Sequence, residues 1–100
     1  SNFITLEDGE TLVVGTLKDI KLVTKLGFGG EENEVIRLVC VVDTSMGLRE
    51  KVFDNGTQRW AKELQDKGVK VGGGFSITRT GIKTNTRYTI SDVVPVGEQK

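Results

Sequence analysis

The chain has no histidine and a single cysteine, Cys40. Their scarcity removes disulfides, Cys/His zinc sites, and both the Ser-His-Asp and the Cys-His catalytic arrangements. A non-enzymatic role without cofactor or metal is the expectation. Proline is scarce too, one residue in 100; with no low-complexity tract or Pro/Ser-rich linker, no internal domain boundary is expected. Neither sign of charge dominates, because 14 Lys and Arg balance 14 Asp and Glu. That is not the strongly basic composition of a protein living on duplex phosphate, so any nucleic-acid contact has to be local. No apolar run approaches the roughly 18 to 20 residues that span a bilayer, and no charged-then-apolar leader opens the chain. A soluble, cytoplasmic protein with no membrane partner is therefore expected. Ser1-Asn2, with no methionine before them, read as the scar of a cleaved tag and are expected to stay outside the fold.

What remains, 36% hydrophobic residues and 13 glycines, is enough for one domain with one core, placed at 3–94. Residues 95–100 read as a frayed tail. Residues 1–50 carry a net charge of −4 and residues 51–100 a net charge of +4, which predicts a dipolar surface. Acids cluster at Glu7-Asp8-Gly9-Glu10 and Glu31-Glu32-Asn33-Glu34, whereas Arg79, Lys83 and Arg87 stand in a stretch without acids.

Period-two alternation dominates and predicts strands. The first, Leu12 to Lys25, slips its alternation near Gly15, as a bulged or sharply coiled strand does. In the second, Val35 to Asp43, the row Ile36, Leu38, Cys40, Val42 is the core candidate, with Cys40 a small buried hydrophobe. Between them lies a glycine-rich loop, residues 27–33, expected to be mobile. The third strand, Leu48 to Asp54, sets Leu48 and Val52 on one side against Arg49, Lys51 and Phe53 on the other. A single helix is predicted over Thr57 to Lys67, with capping residues at Asn55-Gly56-Thr57, an apolar stripe of Trp60, Ala61 and Leu64, and Gly68 to end it. Gly72-Gly73-Gly74 lacks the Gly-Lys-Ser/Thr of a phosphate loop and reads as a turn. Strands Phe75 to Thr80 and Thr84 to Val94 complete the chain. Five strands with one helix between the third and fourth is the order of a five-stranded Greek-key barrel of the OB type, an all-β class.

The closing segment from Phe75 to Ile90 reads Phe-Ser-Ile-Thr-Arg-Thr-Gly-Ile-Lys-Thr-Asn-Thr-Arg-Tyr-Thr-Ile. It resembles the last hairpin of small phage single-stranded-DNA-binding OB domains, which run Phe-x-Ile-x-Arg-x-Gly, a few polar residues, then Tyr-x-Ile or Tyr-x-Val. More loosely the likeness reaches back over Trp60-Ala61-Lys62-Glu63-Leu64 and covers about residues 52–94. It implies sequence-tolerant single-stranded DNA binding in phage or prophage replication or recombination, in a bacterial cytoplasm, by a homodimer or higher oligomer. Val96-Gly97-Glu98-Gln99-Lys100 departs from the acidic C-terminal tail of bacterial single-strand-binding proteins, so recruitment of repair partners through such a tail is not expected.

Such binding needs cations along a groove and flat side chains for bases, each stack being worth about 1 to 3 kcal/mol. The candidates for phosphate contact are Arg37, Arg49, Lys51, Arg79, Lys83 and Arg87; those for stacking are Phe28 and Phe53. Each has a plainer reading: solvated charge for the cations, core for Phe53, and folding back onto the barrel for Phe28. Trp60 reads as a plug under the barrel, Tyr88 as core with its hydroxyl reaching out, and the acids at 31, 32 and 34 as solvated and not a metal site. Two rivals use the same barrel. One is a protein-interaction module, which an exposed Val35-Val39-Val41 patch would favour. The other is an inhibitor whose acids at 7–10 and 31–34 mimic DNA. RNA in place of DNA is compatible with the same residues.

Overall fold

A computed structural model describes residues 2–96; Ser1 and the portion of the expected frayed tail beyond Val96 lie outside the described residues. The alternation resolves into β1 (Thr11–Val14), β2 (Thr16–Leu26), β3 (Glu32–Thr44), β4 (Gly47–Asn55), α1 (Gln58–Asp66), β5 (Gly74–Thr80) and β6 (Arg87–Val94), with a 3₁₀ turn at Lys83–Asn85. The strands form two three-stranded antiparallel sheets, β1-β5-β6 and β2-β3-β4.

Two expectations are corrected here. The long first strand is two strands, because the chain leaves one sheet at Val14 and enters the other at Thr16. At that corner Gly15 N–H donates to Val41 O at 3.0 Å, while Leu17 N–H donates to Gly73 O and Gly72 N–H to Leu17 O, both at 2.7 Å. The triple glycine makes this possible, since a Cβ on Gly74 would stand 2.7 Å from Gly15 O. The slip in alternation is a separate feature three residues on: Leu17 faces Cys40 and Asp19 faces Val39, so Lys18 is bulged out. The closed five-stranded barrel is the second correction. There are six strands, and β4 and β6 share no ladder among the described residues. The outer edge of β6 is met by α1 instead, where Glu63 Oε2 accepts Ile90 N–H at 2.7 Å and Lys67 Nζ donates to Ile90 O at 2.9 Å. At Ile90 side chains thus satisfy the main chain in place of a partner strand.

The core lies between the sheets. Leu17, Leu38, Cys40, Val42 and Phe53 meet Val14, Phe75, Ile77 and Ile90, with Leu6 from the N-terminal segment and Trp60 and Leu64 from α1. Phe53, Trp60 and Tyr88 meet edge to face at centroid separations of 4.9 to 6.2 Å. Burial pushes the Cys40 thiol up to about 12, so the cysteine is packing and not a nucleophile. Helix α1 starts where Thr57 Oγ1 accepts Trp60 N–H at 3.2 Å and ends where Gly68, at φ +69°, turns the chain.

The N-terminal segment covers the free edge of β4. Ile4 N–H donates to Val52 O and Val52 N–H to Asn2 O, both at 2.8 Å. Beyond the core, β2 and β3 run on as an arm in a body measuring 49 × 26 × 23 Å. Leu26 still faces Glu32, so the loop is shorter than expected. Gly27 N–H donates to Glu31 O at 2.8 Å and Gly29 N–H to a Glu31 carboxylate oxygen at 3.1 Å, forming a hydrogen-bonded turn.

Candidate nucleic-acid interface

Residues facing one another in an antiparallel ladder share a side of the sheet. Leu17, Leu38, Cys40 and Phe53 mark the core side, so their in-phase neighbours along the arm, Ile20, Leu22 and Leu26 on β2 and Glu32, Glu34 and Ile36 on β3, lie on that same inner side. The outer side carries Lys21 opposite Arg37, Lys25 opposite Asn33, and Asp54 opposite Arg37. The inner side of the arm thus carries Leu22, Leu26, Glu32 and Glu34, and its outer side carries Lys21, Lys25 and Arg37 together with Val23, Val35 and Asp54.

Phe3 joins the outer side. It bridges Val52, is 48% exposed, and its ring centroid lies 5.0 Å from Lys25 Nζ and 5.5 Å from Arg37 Cζ. Both cations converge on Asp54: Arg37 donates two bonds of 2.8 Å to its two carboxylate oxygens, and Lys25 Nζ lies 2.6 Å from one of them. The Arg37 guanidinium and, after it, Lys25 hold the Asp54 carboxyl below the usual carboxylate range, against the opposing effect of burial. A half-exposed aromatic ring framed by two cations, with Lys21 beside them, offers a base a stacking surface and its phosphates a place to land.

The sequence candidates are distributed unevenly. Arg37 lies in this cluster. Phe28 stands fully exposed at the arm tip. Arg49 and Lys51 are on the core side of β4, because Lys51 faces Cys40 and Arg49 faces Val42. The strands do pair antiparallel, yet Arg49 and Lys51 do not share a face with Arg37. Phe53 is 3% exposed and belongs to the core. Arg79 is a structural cation: it donates to the carbonyl oxygens of Leu6 at 2.6 Å and Gly81 at 3.2 Å and to Thr86 Oγ1 at 3.3 Å. Lys83 and Arg87 remain exposed around the 81–86 loop, whose turn requires glycine: Gly81 has φ +87°, and a Cβ there would collide with Asn85 O. The Val35-Val39-Val41 row is no open patch, since Val39 is 8% exposed and the other two are half-buried.

Sequence reasoning missed Phe3, Lys21, Lys25 and Arg59. Alternation does place Lys21 and Lys25 in one row, but nothing local announces that Phe3 is delivered to them. Arg59 and Arg87 line a cavity of about 270 Å³ at the start of α1, together with Asn55, Thr57, Trp60, Thr84, Thr86 and Tyr88. Trp60 Nε1–H is buried without an acceptor among the described residues, a condition that costs about 1 to 3 kcal/mol. No group of three or more Cys, Asp or Glu side chains able to hold a metal occurs among the described residues, and no helix among them is long and apolar enough to cross a membrane.

No protein-family model, no curated protein and no solved structure matches this chain.

Proposed function

We propose that this chain is a sequence-tolerant single-stranded DNA-binding protein that acts by binding alone, in phage or prophage replication or recombination within a bacterial cytoplasm. The observation that carries the reading is Phe3 held against Lys25 and Arg37 on the outer side of the β2-β3-β4 sheet. The strand pairings support it. A first strand that bends from one sheet into the other, β3 and β4 following on one side and the β5-β6 hairpin on the other, with a helix after β4, matches the OB arrangement short of its last closure. Strand phosphates would run along Lys21, Lys25 and Arg37, with Phe28 at one end and Lys83 and Arg87 on the separate 81–87 loop as further contacts.

Titration of the protein into fluorescently labelled oligo-dT of about 30 nucleotides, long enough for two OB-sized sites, tests this reading against a matched duplex. Tight binding to the single strand that weakens between low salt and about 150 mM, with weak duplex binding, supports it. A folded protein that leaves the single strand unbound at low salt removes it. A matched oligo-rU arm separates DNA from RNA.

A second reading, a protein-interaction module, is favoured by the inner side of the arm, where Leu22 is 66% and Leu26 74% exposed. We assign that side to a second copy of the chain. Its apolar row is flanked by Glu32 and Glu34, and exposed cations on α1 and the 81–87 loop offer the complementary charge. The DNA-mimic reading keeps its acids at 7–10 and 31–34 exposed, with Asp8 accepting Gly81 N–H and Glu10 accepting Glu7 N–H.

A further inference from the structure

The cavity at the start of α1 lies apart from the Phe3 cluster and has a chemistry of its own. Its lining holds two guanidinium groups, Arg59 and Arg87, and no carboxylate. Neither arginine has an ion-pair partner among the described residues. Two uncompensated cations around one hollow attract anions, and the planar donors of arginine match phosphate oxygens in pairs. The first turn of α1 contains no acid that would repel such a group, and its leading main-chain N–H groups add positive potential at the rim.

The lining also includes a buried indole. Trp60 is 2% exposed, lines this cavity, and has an Nε1–H without an acceptor among the described residues. Buried indole N–H groups normally have a partner. That N–H is closed off from solvent, so the indole borders the cavity without donating into it. At about 270 Å³ the space falls just below the roughly 300 to 1,000 Å³ of pockets that enclose drug-sized ligands, which suits a phosphate with its sugar.

We propose that this cavity is a phosphate-binding subsite for one nucleotide unit, with Arg59 and Arg87 on the phosphate oxygens and the Trp60 indole beside them. The unit is either part of a bound strand or a free nucleotide; the phosphate chemistry is shared. This inference deepens the single-strand reading but does not depend on it.

Trp60 is the only tryptophan, so its indole N–H gives one resolved signal in a ¹H–¹⁵N spectrum of the full chain. Thymidine 5′-monophosphate, and more weakly inorganic phosphate, should move that signal saturably at constant ionic strength, while chloride should not. Arg59→Ala and Arg87→Ala should each weaken the response about tenfold or more. Both arginines are exposed, and an unmoved indole signal in the unliganded variants verifies their fold. Absence of saturation, an equal response to chloride, or unchanged affinity in both variants overturns the proposal. Oligo-dT with and without a 5′-phosphate then separates the sources: preference for the phosphorylated strand assigns a terminal phosphate, and equal binding an internal one. Should thymidine 5′-monophosphate bind while labelled oligo-dT does not, the subsite stands and the single-strand reading falls.

Discussion

Arg79 Nη1 lies 2.6 Å from the main-chain oxygen of Leu6, joining residues 73 apart in sequence. With its bonds to Gly81 O and Thr86 Oγ1, the guanidinium ties the N-terminal segment to the 81–86 loop. Arg79→Ala should therefore act on stability, lowering it by about 2 to 3 kcal/mol in urea unfolding, as expected for loss of charge-assisted bonds to partly buried acceptors. Single-strand affinity and its salt slope, measured where the variant is folded, should stay close to those of the parent.

Phe3 and Lys21 should separate stacking from charge. Phe3→Ala is expected to reduce oligo-dT affinity by about 1 to 3 kcal/mol with its salt dependence preserved. Lys21→Ala should instead flatten the slope of log affinity against log salt by about 0.7, the increment for one phosphate contact on a single strand. Equal behaviour of the two variants would remove the division of roles.

Asp54 holds Arg37 and Lys25 together and also competes for them. Asp54→Asn should tighten single-strand binding roughly two- to fivefold by releasing two cations, while lowering stability. The acid limb has the matching sign. Asp54 and Glu63 both titrate below their ordinary values of 3.8 and 4.5 in the folded chain. For Glu63, burial opposes the shift, and the bonds from Lys67 and from Ile90 N–H outweigh it. The unfolded chain takes up protons first, so the stability from these groups is complete above those ordinary values and is lost as pH falls through the folded ones. Urea midpoints measured from neutral pH down to the acid range should fall accordingly, and less steeply for Asp54→Asn.

Leu22→Glu places a charge in the exposed apolar row of the arm. Sedimentation of the parent should show self-association that this variant lacks, with unchanged thermal unfolding of the single chain. A parent that remains monomeric at high concentration would leave this row to another protein.

Much of the fold was legible, because period-two alternation and helix capping are local signals. Thr57 caps the helix as its sequence suggests, and Ile36, Leu38, Cys40 and Val42 do form the core row of β3. Arg49, Lys51 and Phe53 were harder, since alternation defines two sides of a strand without saying which one faces inward. The Leu38-Phe53 pairing decides it, and the two cations are carried to the core side beside Phe53. The meeting of Phe3 with Lys25 and Arg37 depends on how the N-terminal segment crosses β4, a relationship with no local signature. Barrel closure has no local signature either: β6 shares no ladder with β4 among the described residues, and two side chains of α1 reach the main chain of Ile90.

The bulge at Lys18 bears on how this protein tolerates insertions and deletions. Leu17, at an odd position, and Ile20 and Leu22, at even ones, share the inner side only because Lys18 and Asp19 together stand opposite Val39. Removing Lys18 leaves the downstream phase intact and costs the chain one exposed ion pair, to Glu50. Removing any single residue from Ile20 to Val23 would instead rotate the rest of the strand by half a turn, sending Lys25 inward and Leu26 outward. Lys18 and Asp19 form the bulge, and the arm can absorb the loss of either one without exchanging its two sides.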